Sequence, residues 1–261
     1  ITNVPVKNLF VSSLTPGIIL GVTFSIFALI VAGKRNYKKH PKASGKEIFS
    51  VLKDSIWAIL MPVVVLGCIF GGITTSTEAS VIAVAYSLIV GLFIHKDLKV
   101  KDLFKIFLDS AVATAVMFIL IGVSTAIGWI IAVSNVSVTM TELILGTGAG
   151  KVGVILFVTI LGLILGCLMD PVAAMLIMTP VVLGMVNAVG YSNLEFGIIL
   201  NTLMMLGHIT PPVGASLLIN NAKAEANIAD TIRESMPFFI IGLTVSMLLW
   251  IFPVLTRFLV Y

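Results

Sequence analysis

The sequence predicts an all-α polytopic membrane protein that carries a re-entrant hairpin and a broken helix. Three observations predict it. Of 261 residues, 59% are hydrophobic and 11% charged, with mean hydropathy +1.15. Soluble domains carry about 25% charged residues, so this chain's solvent is largely lipid. Several apolar runs reach the ~20 residues that a membrane span needs. Two other runs are broken by glycine, proline and an acid, where hydrocarbon would tolerate no free backbone.

The first span covers roughly Leu9 to Ala32, with Pro16 and Gly17 near its start, and ends in the basic loop Gly33–Lys46. An amphipathic start (Glu47 to Ser55) leads into a second span, Ile56 to Gly72. The polar turn Thr74-Thr75-Ser76-Thr77-Glu78 precedes a third span, which ends near Ile94. There Thr77 reads as the N-cap, with Glu78 in the first turn against the helix dipole. A second basic loop, His95 to Lys101, precedes a fourth span, Ala111 to Val133, and a polar stretch then runs to Lys151. Val152 to Ala188 is apolar but interrupted at Gly166 and at Asp170-Pro171. Its halves of about 15 to 17 residues are short for two crossings, so a re-entrant hairpin with its tip near Asp170 is expected. Phe196 to Asn221 is broken at Gly207-His208-Ile209-Thr210-Pro211-Pro212-Val213-Gly214. A short polar helix, Ile228 to Glu234, leads to a last span, Pro237 to Leu255.

Charge sets the orientation. With the loops after the first and third spans in the cytoplasm and the hairpin re-entrant, 13 of the 16 Lys and Arg fall inside. Only Lys7, Lys151 and Arg257 fall outside, a strong positive-inside bias. A single crossing at the hairpin swaps the final loops and destroys the bias. The basic loops therefore read as topology determinants, with contact to anionic lipid a secondary role. The net charge of +4 sits in short loops, which gives no support for nucleic-acid binding. Cys68 and Cys167 both lie in apolar runs, against a disulfide framework or thiol metal site. The opening Pro5–Ile19 faintly echoes Asn227–Ile241 with opposite direction, as inverted repeats do in secondary transporters. The chain opens on Ile1 and enters an apolar run almost at once, which reads as a piece of a longer protein.

The interruptions are where chemistry is expected. Pro211 and Pro212 remove two backbone donors and free carbonyls of the preceding turn. Such carbonyls at a half-helix C-terminus can hold a bare sodium ion, and the half-helix from Gly214 would aim its positive end at a substrate carboxylate. The plainer alternative is a proline kink. Asp170 is either an electrostatic support for a cation or the N-cap of a helix whose first residue is Pro171. His208 is either a substrate or pH contact or a ring that holds loose carbonyls. Asn201, Asn220 and Asn221 are further polar residues of the broken helix. Enzyme signatures (H-E-x-x-H, G-x-S-x-G, P-loop) do not occur, so no catalytic residue and no organic cofactor is assigned.

Several stretches resemble the large membrane subunit of TRAP (tripartite ATP-independent periplasmic) transporters. Gly71-Gly72-Ile73-Thr74-Thr75-Ser76-Thr77-Glu78-Ala79 is similar to that family's G-G-x-x-T-P-T-E-A. Gly166-Cys167-Leu168-Met169-Asp170 with Thr179-Pro180 resembles its outer hairpin, and Gly207 to Gly214 its second broken helix. Two positions differ: Ser76 stands for the proline, and His208 for an apolar residue. The resemblance implies an elevator-type transporter with inverted repeats. Residues 1–110 would be scaffold helices, the end of the first repeat and the start of the second. Residues 111–235 would belong to the transport domain, with the outer hairpin at 151–188 and the broken helix at 195–222, and 236–261 would form the last transmembrane helix. It also implies Na+ as coupling ion, bound by Gly166, Gly207, Thr210 and Val213 mainly through backbone carbonyls. Asp170, His208, Pro211 and Pro212 are substrate or gate candidates.

The implied partners are a small four-helix membrane subunit, a periplasmic substrate-binding protein, an organic acid substrate and the lipid bilayer of the bacterial inner membrane. The other sodium site is expected upstream of Ile1. Two rival readings stay open: a stand-alone carboxylate or ion transporter of related fold without a binding protein, and a non-transporting membrane assembly protein.

Overall fold

The computed structural model describes residues 2–35, 43–210, 214–224 and 227–259. Among them the chain is helical: α1 (Val6–Lys34), α2 (Gly45–Phe70), α3 (Ser76–Ile89), α4 (Val100–Val133), α5 (Val136–Gly146), α6 (Gly150–Leu168), α7 (Pro171–Ala188), α8 (Asn193–Gly207), α9 (Ala215–Ala224), α10 (Ile228–Ile251) and α11 (Val254–Arg257). A π-helical segment, Val90–Ile94, prolongs α3. Counting that segment with α3, seven of these helices are long and apolar enough to cross a membrane. They form two compact units, Ile1–Lys34 with Phe118–Tyr261, and Arg35–Met117.

Local chemistry explains the starts. Ser44, Thr75 and Ser192 each accept a hydrogen bond from the backbone N–H three residues on, and the Glu there (Glu47, Glu78, Glu195) reaches back to the cap. This reciprocal box satisfies two otherwise free donors. It also corrects the expected cap of α3. Thr75, not Thr77, is the cap, because only a residue three before Glu78 can be reached by its carboxylate.

Two further boundaries differ from expectation. The polar stretch after α4 contains α5, which begins after Asn135 in the left-handed region (φ 53°). It packs on α7, where a Cβ at Gly184 would lie 2.7 Å from Ser137 Oγ. The polar helix and the last span are one helix, α10, with Pro237 inside it. Prolines are accommodated in apolar helices where neighbours re-satisfy the freed backbone group.

The core of the first unit lies among α6, α7, α8 and α10. On α6 the stripe Val154, Val158, Gly162, Gly166 recurs every four residues, so it forms one ridge. The ridge tapers to glycine towards the tip, which lets α8 approach closely. Leu203 Cβ would touch a Cβ on Gly162 at 3.5 Å. α6 and α7 are antiparallel, and Lys151 Nζ sits 4.3 Å from the centre of the Tyr191 ring. The run therefore returns to the end from which it set out. Both helices are longer than expected, 19 and 18 residues, so length alone does not make the hairpin re-entrant. Within their most apolar windows, 33% and 44% of residues are buried by protein, against 0–6% for α1, α2, α3 and α4. The hairpin is buried against protein, while those four helices leave their apolar side chains exposed within this chain.

At the same end, Tyr191 Oη donates to Trp250 O, and the two rings stack edge to face at 4.8 Å. Burial first, and the Glu195 carboxylate second, raise the Tyr191 hydroxyl above its ordinary value, so it stays a donor. Buried Glu195 is 3.6 Å from Arg257 Nε, and Asn193 Nδ2 donates to Thr2 O at 2.9 Å. Lys151, Arg257 and the start of α1 next to Lys7 thus gather at one end, as the charge count requires. α1 and α10 run antiparallel, with Phe24 and Phe27 edge-on to Phe238 at 5.7 and 5.0 Å.

In the second unit α2 and α3 are antiparallel, tied by Tyr86 Oη donating to Trp57 O at 2.7 Å. The first half of α4 completes it. Tyr191→Phe is expected to lower stability by about 1 kcal/mol, the value of one buried hydrogen bond, while leaving the ring stack intact. Thermal unfolding of the purified chain in detergent checks it, and an unchanged midpoint would exclude a holding role for that bond.

Candidate functional site

The hairpin tip and the end of α8 meet through bare backbone. A Cβ on Gly207 would lie 2.6 Å from Gly166 C, 2.7 Å from its Cα and 2.9 Å from Cys167 N. A Cβ on Gly166 would lie 3.0 Å from Met204 O and 3.2 Å from Met204 Cα. Nothing but glycine fits at Gly207 without moving one helix off the other. This pair is the point at which Val154-Val158-Gly162-Gly166 comes closest to α8.

Polar contacts hold the junction. His208, the C-cap of α8, places Nδ1 3.2 Å from Gly166 O. The buried Cys167 thiol donates to Thr210 O at 3.2 Å. Thr210 Oγ1 donates to Leu206 O at 2.7 Å, and Thr210 N–H to Gly207 O at 2.9 Å. Gly214 closes the turn by donating its N–H to Thr210 O at 3.0 Å, and a Cβ there would strike the His208 and Thr210 carbonyls at 2.6 and 2.8 Å. Asp170 caps α7, accepting from Val172 N–H at 2.9 Å with Pro171 at the first helical position.

Of the residues singled out from the sequence, Gly166, Gly207, Thr210 and His208 are thus brought together, and Asp170 stands at the adjoining turn. Val213, Pro211 and Pro212 lie outside the described residues. His208 does hold a loose carbonyl, that of Gly166. Asn201 lines two adjoining cavities of ≈510 and ≈280 Å³ between α1 and α8, together with Ser13 and Ile198. Asn221 instead accepts a hydrogen bond from Thr231 Oγ1, and Asn220 is exposed. Cys167 was missed as a contact, because an isolated thiol in an apolar run carries no pattern. The glycine ridge is legible in the sequence as Gly162-x-x-x-Gly166.

The donor set suits a hard cation. Among the described residues no three His, Cys, Asp or Glu side chains gather. The polar groups at the junction include the carbonyl oxygens of Gly166, Gly207 and Thr210, and carbonyl oxygens favour hard ions over soft ones. Each carbonyl has two lone pairs, so Gly166 O and Gly207 O each keep one beyond the contacts above. Thr210 O uses both, one of them for the weakly donating thiol.

Apolar helices of spanning length, a glycine-backed hairpin tip and an interrupted helix beside it define a multi-pass membrane protein built around a polar junction. Comparison with known proteins places it more closely. Residues 1–255 match the model of the DctM component of tripartite ATP-independent periplasmic transporters, and the chain belongs to that family. It is 30% identical over 254 residues to an isethionate TRAP transporter permease of Oleidesulfovibrio alaskensis, covering 97% of this chain and 40% of that protein. It is 29% identical to an ectoine large permease of Halomonas elongata (99% and 61% covered). A C4-dicarboxylate large permease of Pseudomonas aeruginosa is 28% identical (97% and 59%). The chain thus spans about half the length of the curated relatives it matches. The family is one of transporter permeases and not of enzymes, and this member is a multi-pass inner-membrane protein.

Gly207→Ala should destabilise the junction by about 1–3 kcal/mol, the cost of overpacking. Gly122→Ala, whose added methyl meets nothing within 4 Å, should leave stability unchanged or slightly raised. Paired thermal-unfolding measurements check the contrast, and equal effects of the two would exclude a tight glycine junction.

Proposed function

We propose that the chain forms part of a sodium-coupled importer of an organic acid that is delivered by an extracytoplasmic binding protein. The observation that carries this reading is the convergence of the hairpin tip on the end of α8. The carbonyl oxygens of Gly166, Gly207 and Thr210, and Thr210 Oγ1, come from these two helical interruptions, which hydrogen bonds join. A cation that replaces the His208 and Cys167 contacts would bind both interruptions at once and so hold the hairpin against the broken helix. Binding energy spent on one of two arrangements is what couples an ion to a conformational change.

In this reading the hairpin is re-entrant, with its tip at the depth where α8 stops. Residues 111–235 move as a transport domain against the scaffold of 1–110, in an elevator motion. The last helix lies in 236–261. Relatives named for isethionate, ectoine, sialic acid and C4-dicarboxylates support transport of small organic solutes by the family. A small four-helix membrane subunit and a periplasmic substrate-binding protein are the proposed partners. Asp170, as the cap of α7, sets the shape of the tip rather than contacting substrate.

The test is uptake by proteoliposomes that hold the full-length permease and its small subunit. Uptake of a candidate acid should require both an inward sodium gradient and the binding protein. Thr210→Ala should lower the apparent sodium affinity about tenfold, the effect of about 1.4 kcal/mol from one lost oxygen ligand. Sodium-independent uptake would overturn the coupling, and uptake without the binding protein would favour the stand-alone carrier.

A further inference from the structure

At the end of the first unit where Lys151 and Arg257 gather, a cavity of ≈730 Å³ opens between the start of α1 and the start of α8. Its size lies in the range of small-molecule sites, roughly 300–1,000 Å³. Of the nine described residues that line it, six are polar: Thr2, Asn3, Asn8, Ser192, Asn193 and Arg257. Arg257 is the one that carries a charge, and no acid is among them. The junction of hairpin and break lies at the other end of α8, whose 15 residues make about 22 Å of helix.

Two of the lining residues are committed to the fold. Asn193 donates to Thr2 O at 2.9 Å and accepts from Asn187 Nδ2 at 3.1 Å, which ties the first residues to α8. Ser192 gives its N–H and its hydroxyl to the Glu195 carboxylate, at 2.8 and 2.9 Å. Two others, one on α1 and one on α11, are not committed. The side-chain amide of half-buried Asn8 forms no hydrogen bond among the described residues. Nor does the Arg257 guanidinium. Its ion pair with Glu195 spans 3.6 Å, beyond hydrogen-bond length, and its side chain is 49% exposed. Glu195 itself is buried and does not line the cavity. The first turn of α1 carries no acidic side chain, so the positive end of its dipole is left uncompensated.

We propose that this cavity binds the carboxylate of a small organic acid, with Arg257 as the charged donor and Asn8 as the neutral one. A guanidinium carries five N–H donors in a planar fork, and a carboxylate accepts two of them in parallel. A polar lining without an acid leaves nothing in the cavity wall to repel an anion. Glu195 holds Arg257 by charge and leaves its donors for the ligand. The charge count sets this end of the unit outside the membrane. In the transport reading, on which the choice of an organic acid rests, the solute arrives on that side. The cavity then collects it one helix length away from the junction.

The test is saturation-transfer NMR of succinate with the full-length permease and its small subunit in nanodiscs. Succinate should give a saturable signal, its neutral counterpart succinamide none, and sodium should leave the signal unchanged. Arg257→Lys keeps a charge beside Glu195 but loses the fork. It should weaken binding about tenfold, the order of one charge-assisted hydrogen bond. Asn8→Asp should abolish binding by placing a carboxylate in the cavity. Its unfolding midpoint should stay level or rise, because an acid suits the first turn of α1. No saturable signal, one that requires sodium, one matched by succinamide, or one that survives Asn8→Asp would each overturn the proposal. If succinate fails while Asn8→Asp raises the amount of binding protein that uptake needs, the cavity takes an acidic side chain of that protein instead. Sodium-independent uptake overturns the coupling alone, so the two readings fail separately.

Discussion

Gly166 and Gly207 approach until their backbones touch, and much of the first unit follows from that contact. A side chain on either residue would separate α6 from α8. With both absent, the hairpin tip is carried to the place where α8 ends. There His208, Cys167 and Thr210 can trade hydrogen bonds across the junction. The contact also explains the grading of the α6 ridge. Valines fill the core near Lys151, where helices stand at ordinary distance, and glycines take over where they converge.

The junction combines rigid and replaceable parts. The glycine contact, the Asp170 cap and the Thr210–Leu206 bond are local and satisfied within the fold. The two bonds that cross from hairpin to break are weaker: a thiol to a carbonyl and an imidazole to a carbonyl at 3.2 Å each. Weak links between two elements that are each well ordered are suited to a switch, because few interactions separate the joined and parted states. At the opposite end of the hairpin the bonds are firmer. Tyr191, Trp250, Lys151 and the buried Glu195 fix where α6, α8 and α10 begin or end. Arg257 is half exposed, so its ion pair adds little to that anchoring.

The second unit follows another logic. α2, α3 and α4 bury almost nothing of their most apolar windows within the chain, so lipid or another protein completes them. Their order comes from specific ties, Tyr86 to Trp57 and Leu98 to Gly91, more than from a packed interior. The gap between α3 and α4 is the counterpart of that economy.

By itself, the sequence determined the class of the protein, most of its spans and which basic residues share one end of the first unit. Those properties depend on apolar length and on where Lys and Arg fall, and both are additive along the chain. It also located both interruptions, since Asp170-Pro171 and Pro211-Pro212 are local backbone chemistry. Other local features are plain spacings in the sequence, the capping box from Thr75 to Glu78 and the ridge Gly162-x-x-x-Gly166. Only the tertiary structure decided which interruptions touch, that Cys167 bonds Thr210 across 43 positions of sequence, and that His208 faces Gly166. It also decided that residues 136–146 form a helix and that the hairpin helices run to 19 and 18 residues. These depend on which glycine meets which backbone across two packed helices, and pair contacts of that kind leave no periodic trace in a single chain.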